Sequence, residues 1–190
     1  MTESPSPLPS EGAVVIAADA ARNPFVRMGV AYWRSLCGQR KFPARDALTL
    51  RGMAPFVPYI VIIAVIDGGA DYEYRYVGDA QRQAFGAYFK GMRVTQIEAA
   101  APELGGILRS VYELARSAGL PFAVRGRVDH EPPGSKLLYH ETAFLPLGAS
   151  DDAVDHLLIA GVQIPEPFWN IPEDKRAGLA DQARLPAVAA

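Results

Sequence analysis

A chain of 190 residues, 49% hydrophobic and 21% charged, carries enough apolar material for one globular domain with a real core. Its formal net charge of −2 excludes a global electrostatic attraction to nucleic acid or to an anionic membrane. The single cysteine, Cys37, excludes an intramolecular disulfide and suits a cytoplasmic protein.

The N-terminus, MTESPSPLPSEG, lacks the basic start and apolar centre of a signal peptide. Residues 1–22 are expected to be a disordered segment, rich in Pro and Ser over the first 12. Asn23 is a good N-cap, Pro24 suits a first helical position and Gly38 offers a stop. Between them Phe25, Met28, Tyr32 and Leu36 recur at helical spacing, which predicts an amphipathic helix over 24–37. A connector with Phe42-Pro43 as its anchor follows.

Residues 59–66, YIVIIAVI, are apolar on both faces and predict a central strand covered on both sides. The surrounding apolar run, 54–66, has 13 residues and two prolines, too short for a membrane helix of about 20. DGGAD at 67–71 supplies the glycines of a hairpin turn, and Tyr72–Val77 returns antiparallel. In a regular strand Tyr72, Tyr74 and Tyr76 share one face, and Glu73, Arg75 and Val77 the other. Asp79 caps a short helix to about Phe85, and MRVTQI reads as a connector. Pro102–Ala118 is the clearest helix, with Leu104, Ile107, Leu108, Val111, Leu114 and Ala115 as its stripe and Gly119 as its end. Three strand patterns close the chain at 122–128, 136–147 and 155–164. The tail at 166–190 holds Phe168 and Trp169 and an Ala-rich end.

Charge is uneven along this order. Residues 21–52 hold seven Arg and Lys against Asp46 alone, and residues 151–181 hold seven acids against Lys175 and Arg176. These are two solvated faces or a docking surface for a charged partner.

Two strands, a helical middle and a three-strand return resemble a PAS domain, a five-stranded antiparallel sheet with helices on one face. The segments YWRSLCGQRKFPARDAL, APFVPYIVIIAVIDGGADYEYRYVGDAQRQAFGAYFKGMRV, YHETAFLPLG and VDHLLIAGVQIP resemble a group of stand-alone bacterial PAS-type proteins over about 24–165. That group has a Tyr-Trp helix before the domain, an Arg-x-Val-Gly step ending the second strand and a Pro-Leu step ending the fourth. The resemblance implies an α+β domain over 59–165, a flanking helix and connector over 23–58, and a sensor or interaction role.

Within that architecture Tyr74, Tyr76, Phe85, Tyr88, Phe122 and His140 are the candidate ligand-lining residues. The tyrosine face has three readings: ordinary core packing, a ligand wall, or an outward dimer surface. Buried hydroxyls need partners, each unmet one costing about 1–3 kcal/mol. Arg75, Arg125 and Arg127 either pair with Glu73 or Glu141 across strands or clamp a carboxylate ligand. His140 is either a hydrogen-bonded sheet histidine or a titratable ligand grip. Tyr32 and Trp33 of the leading helix are the candidate contacts of a homodimer.

The family's cofactors can be checked on this chain. Haem-binding members need a histidine on the long middle helix, and Pro102–Ala118 has none. Flavin photosensors use an Asn-Cys-Arg-Phe run after the short helix, where this chain reads RQAFGAYFKGMRV. Neither cofactor is expected, and the ligand identity is left open. His130-Glu131 is followed by two prolines, which forbids a helical zinc motif, and His156 adds no metal spacing. There is no G-x-S-x-G elbow and no phosphate-binding glycine loop, so catalysis is the least supported reading. The expected role is a sensory or adaptor protein that binds an unidentified small molecule and acts through a protein partner. A ligand-free dimerisation module is the alternative.

Overall fold

A computed structural model describes residues 13–85, 89–127 and 139–164. Its centre is an open antiparallel sheet of six strands: β1 (Val14–Ala17), β2 (Ile60–Ile66), β3 (Asp71–Val77), β4 (Phe122–Arg127), β5 (Tyr139–Leu147) and β6 (His156–Ile164). The order across the sheet is β1-β4-β5-β6-β2-β3, so the last strand is inserted beside the first long one. Five helices accompany it: α1 (Pro24–Cys37), α2 (Leu50–Met53), α3 (Asp79–Phe85), α4 (Val94–Ala100) and α5 (Pro102–Ala118).

Helix ends follow local chemistry. Asn23 Oδ1 accepts from Phe25 N at 2.9 Å, Pro24 opens α1, and Gly38 closes it at φ 57°. Gly119, at φ 59°, ends α5 in the left-handed region that favours glycine. Asp67, Gly68 and Gly69 carry positive φ through the β2–β3 turn.

Three expectations are corrected. The sheet has six strands and not five, because Val14–Ala17, inside the segment expected to be disordered, pairs antiparallel with β4. Helices cover both faces and not one. On the first face Val26, Val30 and Trp33 of α1 pack with Ile60, Ile62, Leu145, Leu158 and Ala160. On the second face α4 and α5 bring Val94, Ile97, Val111, Tyr112 and Ala115 against Val61, Ile63, Tyr72, Tyr74, Leu157 and Ile159. This two-sided burial is what the uninterrupted apolar run of β2 requires. Lastly, part of the MRVTQI connector is helical: Arg93 N, which has no intrahelical acceptor, donates to Gln96 Oε1 at 2.8 Å, opening α4.

Packing between α1 and the sheet is tight at one point. A Cβ on Gly29 would lie 2.5 Å from Ala160 Cβ, so only glycine lets the helix rest on β6 at that height. Gly78 is equally constrained at the end of β3, where a Cβ would meet Pro58 O at 2.3 Å. Gln81 of α3 is buried and donates to Tyr59 O at 3.0 Å and to Gly161 O at 2.5 Å, which holds that short helix to the sheet.

Candidate functional site

The tyrosines of β3 do not share a face. Ile62 is opposite Tyr76 and Ile63 is opposite Tyr74, so Arg75 is an extra residue and the pairing carries a β-bulge. A bulge inverts the alternation beyond it. Tyr72 and Tyr74 therefore enter the core under α5, whereas Tyr76 turns to the α1 face. The expected three-tyrosine stripe is corrected to a pair plus one residue on the far side.

The pair meets a third tyrosine, Tyr112 of α5. Tyr74 and Tyr112 share a hydroxyl–hydroxyl bond of 2.8 Å, and the Tyr72 hydroxyl donates to Glu113 Oε2 at 2.6 Å. Tyr112 lies edge-on to Tyr72 at 5.5 Å and to Tyr74 at 6.3 Å, and tilted against Phe144 at 6.3 Å. Phe122 stacks on Phe144 at 5.1 Å, and Phe89 tilts against Tyr74 at 5.4 Å. Aromatic pairs at such separations contribute about 0.5–1.5 kcal/mol each beyond their burial. Six rings thus occupy the space between the sheet and α5.

Electrostatics follow from that burial. Desolvation pushes the Tyr74 phenol up to about 12, partly offset by the Tyr112 hydroxyl, and raises Tyr112 well above its ordinary range. Desolvation and the bond to Glu113 raise Tyr72 as well. Glu113 is held below the ordinary carboxylate range, chiefly by Arg116, whose Nε lies 2.8 Å away. Two hydroxyls carry two protons, and only one lies between Tyr74 and Tyr112. The other has no acceptor among the described residues.

Phe122 and Tyr74 are therefore together in this cluster. Tyr76 is separated from them by the sheet. His140 is half-buried on β5, between Gly126 and Gln163, on the side of Thr142 and Phe144. Phe85 is the last residue of α3, and Tyr88 lies outside the described residues. Trp33 is 2% exposed and donates Nε1 to Pro146 O at 2.7 Å, so its ring is spent inside its own chain and offers no surface to a second one. Tyr32 is half-buried against Phe56, and its hydroxyl accepts from Thr49 N at 2.8 Å.

Arg75 and Arg125 resolve toward pairing, and the Arg127 side chain lies outside the described residues. Arg75 meets Glu73 at 2.8 Å on the surface. Arg125 Nε meets Glu141 Oε2 at 3.0 Å, and Glu141 is fully buried. Glu141 also accepts from Tyr139 OH at 3.0 Å and from the backbone N–H groups of Arg22 and Asn23, each at 2.8 Å. Four donors satisfy this carboxylate, and through it the start of α1 is tied to β5.

Several of these residues were not legible from pattern alone. Tyr112 lies beside Val111 on α5 but outside the expected stripe, and its partner comes from a strand 38 residues away in sequence. Glu113 lies on a helix, where exposure is the default for a carboxylate, and instead anchors Tyr72. The α5 stripe is also rotated, since Leu104 and Ile107 stay 36% and 37% exposed.

What these features define is an α+β module with helices on both faces of an antiparallel sheet. Compared with known proteins, the chain matches no family model, no curated protein and no solved structure. Among the described residues no helix is long and apolar enough to cross a membrane, and no three His, Cys, Asp or Glu side chains are grouped to hold a metal ion.

Proposed function

We propose that the chain is a PAS-like interaction module whose interior is closed by its own aromatic side chains and whose signal passes through protein contact. What supports the PAS-like reading is the sequence of elements: a β2–β3 hairpin, the helices α3 to α5, then three strands returning beside β2. The single observation that carries the closed interior is the aromatic cluster. Tyr72, Tyr74, Tyr112, Phe122 and Phe144 fill one another's faces, and the tyrosine hydroxyls find bonds within the chain. Native mass spectrometry of freshly purified protein, compared with its denatured mass, tests this. The expected result is a clean chain mass or a multiple of it. A discrete added mass that disappears on denaturation overturns the closed interior.

One observation favours a second reading, a sensor for a small molecule. The Tyr74–Tyr112 pair retains a hydroxyl proton to donate, and it does so in a place where Tyr112 is only 3% exposed. A ligand bearing a carbonyl or carboxylate oxygen is the chemistry that would accept it. On this reading the added mass is present and is lost in Tyr112→Phe.

A further inference from the structure

The two edges of the sheet are treated differently. Beyond β3 the chain covers its own edge: Tyr74 N donates to Met92 O at 3.0 Å, Gly91 N donates to Tyr74 O at 2.7 Å, and Glu73 bridges to Arg93. The bulge at Arg75 and the charges of Glu73, Arg75 and Arg93 guard it further. These are the usual devices against edge-to-edge pairing. Among the described residues none of them is present on β1. Its register with β4 runs unbroken from Val14↔Arg125 to Ala17↔Phe122, and among the described residues nothing pairs with its outer side. From Ala13 to Ala18 there is no charge and no proline. Val14 and Val15, on opposite faces of the strand, are both 53% exposed.

An apolar groove lies alongside. The 3-10 turn that follows β1, Ala18–Ala20, and helix α1 enclose a groove of about 510 Å³, lined by Ala18, Pro24, Met28 and Ala31 and rimmed by Arg27 and Arg34. Met28 is 43% exposed within it. Arg34 is already engaged by Asp19, so the rim is less cationic than its residues suggest.

We propose that the β1 edge and this groove form the interface with a second copy of the chain, the two β1 strands pairing antiparallel about a two-fold axis perpendicular to the sheet. The proposal names the partner of the interaction module described above and rests on that reading. An isologous contact sets residue i against j and j against i, and only the residue on the axis faces its own copy, so a charge in so short a strand would lie close to its like. This strand has none, and apolar side chains on both its faces match themselves. Such an axis keeps both α1 helices on one side of a continuous sheet, with Met28 and the groove of each copy at the seam. That adds the area a four-residue strand lacks, since stable interfaces bury about 1,200–2,000 Å².

Sedimentation of the full chain tests this, with the wild type, the single and double variants of Val14→Lys and Val15→Lys, and Leu50→Lys as a surface control. Leu50 is 75% exposed on α2 and belongs neither to β1 nor to the lining of the groove. The wild type and the control are expected at twice the chain mass, and the double variant at the single chain mass with unchanged circular dichroism. Amide exchange at residues 14–17 is expected to slow as wild-type concentration rises, a readout that needs no variant. A wild type that stays single at the highest reachable concentration overturns the proposal. So does a double variant that still dimerises, or a monomer whose edge captures an acidic peptide instead. A bound ligand in the native mass spectrum would remove the closed interior and leave the edge intact, while a monomeric wild type would do the reverse.

Discussion

The hydroxyls of Tyr74 and Tyr112 lie 2.8 Å apart across the seam between β3 and α5, and both rings are almost wholly buried. Everything that makes this seam dry also makes the phenols hard to ionise. Tyr74 is raised to about 12 from an ordinary value of 10, so its neutral form is favoured in the folded state. A folded pKa above the unfolded one adds stability that is complete below pH 10 and is lost as pH climbs toward 12. Thermal melts across that window are expected to show a steep decline in the wild type and a shallower one in Tyr74→Phe. At neutral pH the variant is expected to lose about 1–3 kcal/mol, because the Tyr112 hydroxyl is left buried without its partner. Equal slopes in the two proteins would remove the tyrosine pair as the cause.

Asp71 predicts the opposite limb. Burial alone would raise its carboxyl, but the Thr95 hydroxyl at 2.6 Å, the amides of Tyr72 and Thr95, and Arg109 hold it below its ordinary 3.8. A depressed folded pKa adds stability that is present above the ordinary value and is lost as pH falls through the folded one. Asp71→Asn is expected to flatten the acid side of the stability profile. It should also lower stability at pH 7 by about 1.5–3 kcal/mol, the range for bonds to a charged acceptor. Urea titrations over the acid range check both, and a variant as steep as the wild type would contradict the assignment.

Gly29 sets the height of α1 above the sheet. Gly29→Ala puts a methyl carbon 2.5 Å from Ala160 Cβ, and the helix must lift or the strand must yield. Overpacking of this kind costs about 1–3 kcal/mol, which outweighs the gain of up to about 1 kcal/mol from replacing a helical glycine by alanine. A lower melting temperature is expected. An unchanged or higher one would mean that the approach of α1 to β6 is looser than the geometry states.

Glu141 ties the leading helix to the sheet. Removing it in Glu141→Ala leaves Nε of Arg125, at 18% side-chain exposure, and the N–H groups of Arg22 and Asn23 without their acceptor. The expected loss is about 3–5 kcal/mol, as for other broken buried pairs, with Glu141→Gln losing less. Hydrogen exchange is expected to quicken from Val14 to Asn23 before it does so in β5. Uniform exchange across both would show that Glu141 stabilises the domain without fastening this segment.

Local chemistry by itself determined most of the elements. The caps at Asn23 and Pro24, the stops at Gly38 and Gly119, and the alternation or run of apolar residues placed α1, α3, α5, β2 and β3 within a residue or so of where they lie. Caps and periods are short-range facts, set by which backbone groups a neighbour can satisfy. That β2 is covered on both faces was equally visible, since a strand with no polar face has no face to give to water.

What only the tertiary structure decided were relations between distant segments. The bulge at Arg75 arises where β3 must keep pairing with β2, and this pairing, not the spacing of the tyrosines, sends Tyr76 to the other side. Tyr112 became a site residue because α5 crosses β3, and Glu113 because its carboxylate reaches the Tyr72 hydroxyl. Val14–Ala17 is too short to declare itself as a strand and is one because β4 offers it an edge. Trp33, expected as a homodimer contact of the leading helix, is buried because the sheet lies against that face of α1. Each outcome depends on a partner brought near by folding, and spacing along the chain holds no record of it.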